Sequence, residues 1–469
     1  MQFRWPNNRS ASHAASGPVT GRHRRPSRSR RALVALPVAA LLGAGGYLSA
    51  SLASAHAATS TTNAASTVVT SGRSAAISVS HSAAITAGRS AVRTGDVARA
   101  AHAASPSTLD GTQGISPLHT DGAQIVDGAG KPITITGVNW FGLETGTFAP
   151  DGLWARNYKS MLSQIVASGF NAIRLPYSNA LFGPDNTPNG IDYQLNPDLK
   201  GLKGLALMDK IVDQATSDGL MVILDQHRPD QNGQSCLPYS GDLTEQQWIS
   251  DWAMLAQHYR DNPLVIGADL HNEPCDPATW GTGSPQMDWP LMAEQAGDAI
   301  QKVAPNWLII VEGTSSYNGQ STWWGGDLAG AKEYPVKLTD ESHLVYEAHD
   351  YGPQVYNQNW FTAKNFPDNM AGIWSQNWAY LNEQNIAPVL LGEFGGSVGD
   401  TTEGVWQSTL LNFIKQHHIS YTYWCWNPNS GDTGGVLNND WTTVNKAKLA
   451  LLHTYQAPLL QQQEQQAPS

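Results

Sequence analysis

Two glutamates in the second half of the chain stand in settings suited to acid and base work: Glu273 in His271-Asn272-Glu273-Pro274 and Glu393 in Gly392-Glu393-Phe394-Gly395. Each closes or follows a short aliphatic run, Val265 to His271 and Val389 to Phe394, of the kind that forms a buried strand. Two carboxyl groups on either side of an acetal carbon can hydrolyse it. One, protonated, gives its proton to the departing oxygen; the other, ionised, attacks the anomeric carbon or activates a water that does so. Separation decides between the two routes: roughly 5–5.5 Å means direct attack and retention, and roughly 6.5–9.5 Å leaves space for a water and means inversion. A third acid, Glu312, ends the run Leu308 to Glu312, but no comparable motif surrounds it.

The elements that must position these groups recur at regular intervals between residues 118 and 455. Strand-like runs cover Ile133 to Trp140, Asn171 to Pro176, Met221 to His227, Val265 to His271, Leu308 to Glu312, Leu344 to Tyr351, Val389 to Phe394 and Tyr421 to Trp426. Amphipathic stretches separate them, among them Tyr158 to Ser168, Gly204 to Ser217, Gln246 to Tyr259, Leu291 to Val303, Ile373 to Asn385 and Val405 to His417. Alternation of this kind predicts parallel β/α units, and eight strands close a barrel, so the expected fold class is α/β, a (β/α)8 TIM barrel. The rival, a doubly wound open sheet, usually carries a Gly-rich phosphate loop after its first strand. Here that strand runs into Asn139-Trp140-Phe141-Gly142, and no nucleotide fingerprint occurs elsewhere. A hairpin over Gln124 to Ile133, turning at Asp127-Gly128, is placed to close the bottom of the barrel.

Barrel chemistry gathers at the C-terminal ends of the strands. Arg174, His227, Asn272 with Glu273, His349 with Tyr351, Glu393, and Trp424 with Trp426 fall at those ends. The fourth and seventh strands lie nearly opposite across the mouth, which lets Glu273 and Glu393 face each other.

With these motifs in place the chain from about Leu118 to Tyr455 resembles glycoside hydrolase family 5, and within it the secreted bacterial endo-β-1,4-glucanases. The resemblance rests on Gly137-Val138-Asn139-Trp140-Phe141-Gly142, Asn171-Ala172-Ile173-Arg174-Leu175-Pro176-Tyr177, Leu224-Asp225-Gln226-His227-Arg228-Pro229-Asp230, His271-Asn272-Glu273-Pro274, Ala348-His349-Asp350-Tyr351, Gly392-Glu393-Phe394-Gly395 and Trp424-Cys425-Trp426-Asn427-Pro428. It implies a retaining mechanism with Glu273 as acid/base and Glu393 as nucleophile. It implies further that Arg174 keeps Glu393 ionised, Tyr351 donates to it, Asn272 binds the sugar 2-hydroxyl, and His227 and His349 hold hydroxyls and carboxylates. Trp424 becomes the floor beneath the sugar at the cleavage point, with Trp140, Trp154, Trp323 and Trp324 as flanking platforms. The 17 Trp and 15 Tyr of the chain exceed the needs of a core and fit such stacking.

Plainer readings stand beside these. Solvated or ion-paired loop acids would explain the glutamates, a structural salt bridge Arg174, and ordinary packing Trp426 and Trp360. His271 reads as a satisfied structural histidine. Strand-end histidines also build metal sites in barrel hydrolases, usually with a His-x-His pair on the first strand; this first strand has none, so neither metal nor cofactor is expected. Three cysteines exclude a dense disulfide scaffold. Cys236 and Cys275 follow neighbouring strands, which allows a bridge in an oxidising compartment, and Cys425 reads as a buried thiol. The family resemblance implies further loop disulfides where this chain has Gly146, Gln231, Thr279 and Thr282.

Outside the barrel the chain changes character. Residues 1–57 read as an export signal: Arg22 to Arg31 form a basic stretch, an apolar run follows from Ala32, and Ala55-His56-Ala57 offers a cleavage site. Arg30-Arg31 fits a twin-arginine route, and an ordinary secretory route or an uncleaved anchor are the alternatives. Residues 58–117, rich in Ala, Ser and Thr, read as a disordered linker, and residues 456–469 as a disordered Gln-rich tail. The first 110 residues hold 12 of the 28 Lys and Arg and only 2 of the 39 Asp and Glu, so the remainder carries 16 against 37, a net charge of −21. A field of that sign repels phosphate backbones and anionic membranes, which excludes nucleic acid as a partner and stable membrane association. The expectation is thus a secreted, extracellular, monomeric cellulase acting on β-glucan polysaccharides, with no cellulose-binding module. Its rivals are the same chemistry on mannan or xyloglucan, a non-catalytic carbohydrate-binding barrel, and a wall-associated module whose working part is the linker.

Overall fold

The computed structural model describes residues 114–466. Eight parallel strands close into a barrel in chain order: β1 Thr136–Asn139, β2 Ala172–Ser178, β3 Met221–Arg228, β4 Val265–Asp269, β5 Leu308–Glu312, β6 Leu344–His349, β7 Val389–Glu393 and β8 Ser420–Tyr423. Register runs without a break across the seam, where Tyr421 of β8 pairs with Thr136 of β1. These are the eight runs expected from sequence, with bounds shifted at their ends. Every residue of β1, β2, β4, β5, β6, β7 and β8 is buried, as strands covered on both faces must be.

The helices over Tyr158–Ala167, Leu205–Ser217, Glu245–Tyr259, Trp289–Gln301 and Thr402–Gln416 pack outside the strands. Three begin at polar caps that satisfy free amides: Asn157 accepts from Lys159, Thr244 from Gln247 and Thr401 from Gly404. The helix expected over Ile373 to Asn385 is interrupted. Met370–Trp374 and Tyr380–Glu383 are α-helical, and a wider π turn over Ser375–Ala379 separates them. Trp374, just before that turn, and Trp378, within it, both pack inward onto Phe413, at ring distances of 5.0 and 6.0 Å.

The N-terminal end of the barrel is filled by Ala172, Ile223, Ile310, Val345 and Leu390 and capped by Leu118, Ile125 and Leu460. Ile125 belongs to an antiparallel hairpin, His119–Asp121 with Gln124–Val126; the turn at Asp127-Gly128 then brings Pro132 back against Val126. The expected hairpin is therefore present, with one further strand ahead of it.

The C-terminal stretch departs from expectation. Residues 456–466 are ordered rather than a disordered tail, with a helix over Leu460–Gln465. Leu460 is wholly buried, Gln463 accepts from the Thr134 amide at 2.9 Å and donates to the Thr134 carbonyl at 3.0 Å, and Glu464 accepts from the Ser116 amide at 3.0 Å. One leucine and one glutamine that mimics a strand partner suffice to dock a segment whose composition is polar. The same contacts bring Ser116, assigned to the linker, into the barrel unit. The signal, residues 58–113 of the linker and residues 467–469 lie outside the described residues.

Candidate active site

Arg174 projects from β2 into the centre of the barrel and is completely buried. Its Nη1 donates to Glu393 Oε1 at 2.9 Å and Asn139 Oδ1 at 3.0 Å; Nη2 donates to Asn272 Oδ1 at 2.9 Å and Glu312 Oε1 at 3.2 Å; Nε donates to Asp269 Oδ2 at 2.8 Å. Asp225 at 3.0 Å and Glu347 at 3.5 Å complete a ring of acids around this one cation. Burial alone would pull the proton from the guanidinium, but Asp225, Asp269, Glu347 and Glu393 reverse that and raise its pKa well above normal. Five carboxyl groups cannot all stay ionised around a single positive charge. Burial pushes Asp225 and Asp269 up to about 7, and Glu312 and Glu347 well above the usual carboxylate range.

Glu393, at the end of β7, receives the Tyr351 hydroxyl on Oε2 at 2.7 Å in addition to Arg174 on Oε1. Burial pushes its pKa up, and Arg174 and Tyr351 oppose that by favouring the charged form. Gly392, just before it, is required by close packing: a Cβ there would stand 1.4 Å from Glu347 Oε1.

Glu273 lies beyond β4 with a left-handed backbone, φ 54°, and its amide donates to Glu312 Oε2 at 2.8 Å. Its side chain keeps 20% exposure, and its Oε1 is 3.2 Å from His349 Nδ1. Burial pushes Glu273 up to about 8 against the pull of Arg174. Glu273, His349 and Glu393 each offer an atom to one small volume, all three within 4.8 Å of one another. The positive charge that this pair of acids faces belongs to Arg174.

Burial depresses His227 and His349 well below the usual imidazole value, with nearby arginines adding to the effect. His227 Nδ1 sits 2.6 Å from Asp225, and its ring lies 5.6 Å from that of Trp424 at an interplanar angle of 11°. Phe141 stacks on Trp424 as well, at 5.4 Å and 10°, so three nearly parallel rings form one stack with Trp424 in common. His271 is structural as expected: it bonds Gln226 at 2.6 Å and the Ser235 carbonyl at 3.1 Å, and burial holds it down at about 3.

The flanking tryptophans divide. Trp154 is 43% exposed and meets Trp441 edge to face, and Trp324 is half-buried. Trp140 is not a platform: it is fully buried, with its indole nitrogen donating to the Asp151 carbonyl at 3.0 Å, because it points outward from β1 into the helix layer. Trp323 is also buried and packs edge-on against Tyr351, so its contact is with the tyrosine that holds Glu393. Cys236 and Cys275 are bridged, Cys425 is a buried free thiol, and Thr279 and Thr282 share a 2.7 Å hydrogen bond.

Sequence reading gave no role to Asn139, Asp225, Asp269 and Glu347, and named Glu312 only as a third strand-end acid without a motif. A signal existed for two of them: Asp225 and Glu347 precede His227 and His349 by two residues, and alternate residues of a strand face the same side.

A (β/α)8 barrel with a close carboxylate pair, a buried arginine and an aromatic floor at its C-terminal mouth defines the class of the protein as a barrel glycosidase. Residues 126–430 match the family Cellulase (glycosyl hydrolase family 5). An endoglucanase of Paenibacillus polymyxa is 49% identical over 361 residues, which cover 76% of this chain and 91% of that one. The major extracellular endoglucanase of Xanthomonas campestris pv. campestris is 44% identical over 339 residues, covering 71% and 69%. Among solved structures, the catalytic domain of that Xanthomonas enzyme superposes with a TM-score of 0.69 at 43% identity, covering 72% of this chain and 99% of that one. A hyperthermophilic endocellulase from the archaeon Pyrococcus horikoshii gives 0.68 at 43% identity, covering 72% and 98%. The chain belongs to glycosyl hydrolase family 5.

Proposed function

We propose that this protein is a retaining endo-β-1,4-glucanase that hydrolyses internal glucosidic bonds of cellulose and soluble β-glucans. The observation that carries the reading is the short carboxylate separation: an oxygen of Glu273 and an oxygen of Glu393 lie within 4.8 Å. That distance suits direct attack and leaves no room for the water an inverting enzyme places between its acids.

In the first step Glu393 attacks the anomeric carbon while Glu273 gives its proton to the departing glycosidic oxygen, and a covalent glycosyl-enzyme forms. In the second step Glu273, now ionised, takes a proton from water, and the resulting hydroxide equivalent displaces Glu393 with a second inversion. The environments sort the roles. Glu393 has both Arg174 and the Tyr351 hydroxyl directed at it, which favours the carboxylate. Burial raises both acids, but among the described residues Glu273 takes no hydrogen bond from a cation: His349 stands beside its carboxyl, and Arg174 and Arg228 only partly offset the burial that raises it to about 8. Because Arg174 occupies the Asn272 carbonyl, the side-chain amide of Asn272 is the group left to donate to a sugar 2-hydroxyl. Trp424 carries the sugar ring, Phe141 and His227 hold its indole by stacking on it, and Trp154 and Trp324 serve outlying subsites.

Close relatives named as endoglucanases, and an endocellulase of Pyrococcus horikoshii solved with cellotetraose, support the substrate class. The basic, apolar and Ala-x-Ala pattern of residues 1–57 and the Cys236–Cys275 bridge support export to the extracellular space. Among the described residues no helix is long and apolar enough to cross a membrane.

Reducing-sugar release and viscosity loss from carboxymethylcellulose, barley β-glucan and mannan test the reading. Rapid viscosity loss on the glucans, abolished in Glu273→Gln and Glu393→Gln, is expected. Preference for mannan overturns the substrate, and activity that survives Glu393→Gln overturns the mechanism.

A further inference from the structure

Glu312 ends β5 beneath the mouth of the barrel, and neither of its oxygens is spent on the scaffold. Oε2 accepts the amide of Glu273 at 2.8 Å, and Oε1 lies 3.2 Å from Arg174 Nη2, the nitrogen beside the one that holds Glu393. Glu273 needs such support. Its φ of 54° is a left-handed conformation that L residues seldom adopt, and it persists only where surrounding contacts over-determine it.

The Glu312 backbone is itself pinned, since Trp289 Nε1 donates to its carbonyl at 2.8 Å. Space for its carboxyl is kept by Gly325, where a Cβ would stand 2.1 Å from Oε2 and 3.3 Å from Glu273 Cα. The charged and titratable groups that face this carboxyl are Arg174 from β2, Asp269 from β4, Glu347 and His349 from β6, and Glu273 itself.

We propose that Glu312 is a positioning residue for Glu273: one oxygen holds the Glu273 amide in its left-handed turn, and the other braces that turn against Arg174. The inference rests on the assignment of Glu273 as acid/base. It means that one guanidinium sets both carboxyl groups, Glu393 directly and Glu273 through Glu312.

Leaving-group dependence separates this role from a merely structural one. A glucoside leaving group needs the proton of Glu273, whereas 2,4-dinitrophenolate departs without it. Glu312→Gln keeps the volume but offers one acceptor and one donor group, so it can satisfy the Glu273 amide or Arg174 but not both. Glu312→Asp keeps the charge and is too short to span both, and it serves where the amide variant does not fold.

In either variant kcat on cellotetraose is expected to fall roughly 10- to 100-fold, part of the full factor a lost general acid costs, with KM within about twofold. The first turnover of 2,4-dinitrophenyl β-cellobioside is expected to fall by less than about threefold, and azide to restore its steady-state rate by replacing the water that Glu273 must deprotonate. Equal loss on both substrates, or loss on neither, overturns the proposal. Glu273→Gln is measured alongside: if it lacks the leaving-group split, the acid/base assignment falls. If it shows the split and the Glu312 variants do not, only the positioning role falls.

Discussion

The Arg174 Nη1 nitrogen lies 2.9 Å from Glu393 Oε1, and this contact makes β2 the support of the residue at the end of β7. An arginine serves here because its planar fork reaches Asn139, Asn272, Asp269, Glu312 and Glu393 at once, which a point charge on a flexible stem does not. Arg174→Lys should therefore lower kcat by about 100-fold through loss of alignment. Arg174→Met should destabilise the fold by about 3–5 kcal/mol, because buried carboxyls lose the cation that hydrogen-bonds them. Urea unfolding at two pH values checks the cause: the deficit should shrink at pH 5, where the abandoned acids take up protons.

Tyr351 reaches the other oxygen of Glu393 at 2.7 Å. Removing its hydroxyl in Tyr351→Phe takes one donor from the nucleophile and leaves the ring packed against Trp323. Activity should fall about 10-fold with little change in KM, and melting should shift by no more than the worth of one hydrogen bond, about 1 kcal/mol. A fall in KM-dependent binding with unchanged kcat would contradict this role.

The pH dependence follows from burial. Glu273, raised from 4.5 to about 8, stays protonated through neutrality, so kcat/KM should decline as pH rises past about 8, and Glu273→Gln should erase that limb. Stability carries the same sign. Glu144, Asp225, Asp269 and Asp350 have folded values raised to about 7, above their unfolded values, so their contribution is full below about pH 4 and is lost as pH rises through 7. Thermal melting should accordingly be higher at pH 5 than at pH 8, and the reverse order would refute the assignment.

Two tryptophans of the same motif-rich region should behave in opposite ways. Trp424→Ala removes the ring on which Phe141 and His227 stack and should raise KM about 10-fold, the equivalent of about 1.4 kcal/mol, with melting almost unchanged. Trp140→Ala empties a core position that also bonds Asp151 and should cost about 3–5 kcal/mol of stability while leaving KM near the wild-type value in the folded fraction. Paired melting curves and saturation kinetics on cellotetraose distinguish them.

The Cys236–Cys275 bridge closes a loop with a sequence separation of 39 between the segments after β3 and β4. Its removal in Cys236→Ser with Cys275→Ser should cost about 2–4 kcal/mol, read as a lower melting temperature that reductant reproduces in the wild type. Cys275 lies two residues from Glu273, so the same variant should also lower kcat on cellotetraose modestly.

The sequence by itself determined the architecture and singled out the proposed reacting pair. Eight buried aliphatic runs separated by amphipathic stretches have few ways to hide both faces, and a closed parallel barrel is one; strand-end position together with the surrounding motifs then picks out Glu273 and Glu393 over Glu312. Only the tertiary structure decided what surrounds them. Asp225, Asp269, Glu312 and Glu347 come from four different strands and meet at Arg174 because the barrel turns alternate residues into one lumen, a proximity that no local pattern encodes. Burial sorted the tryptophans in the same way: Trp140 and Trp424 look alike in a string of letters, and which side of the strand each occupies separates a core residue from a platform. The Gln-rich C-terminal stretch makes the point for docking, since composition reports what a segment can bury alone and not that Leu460 finds a barrel end waiting for it.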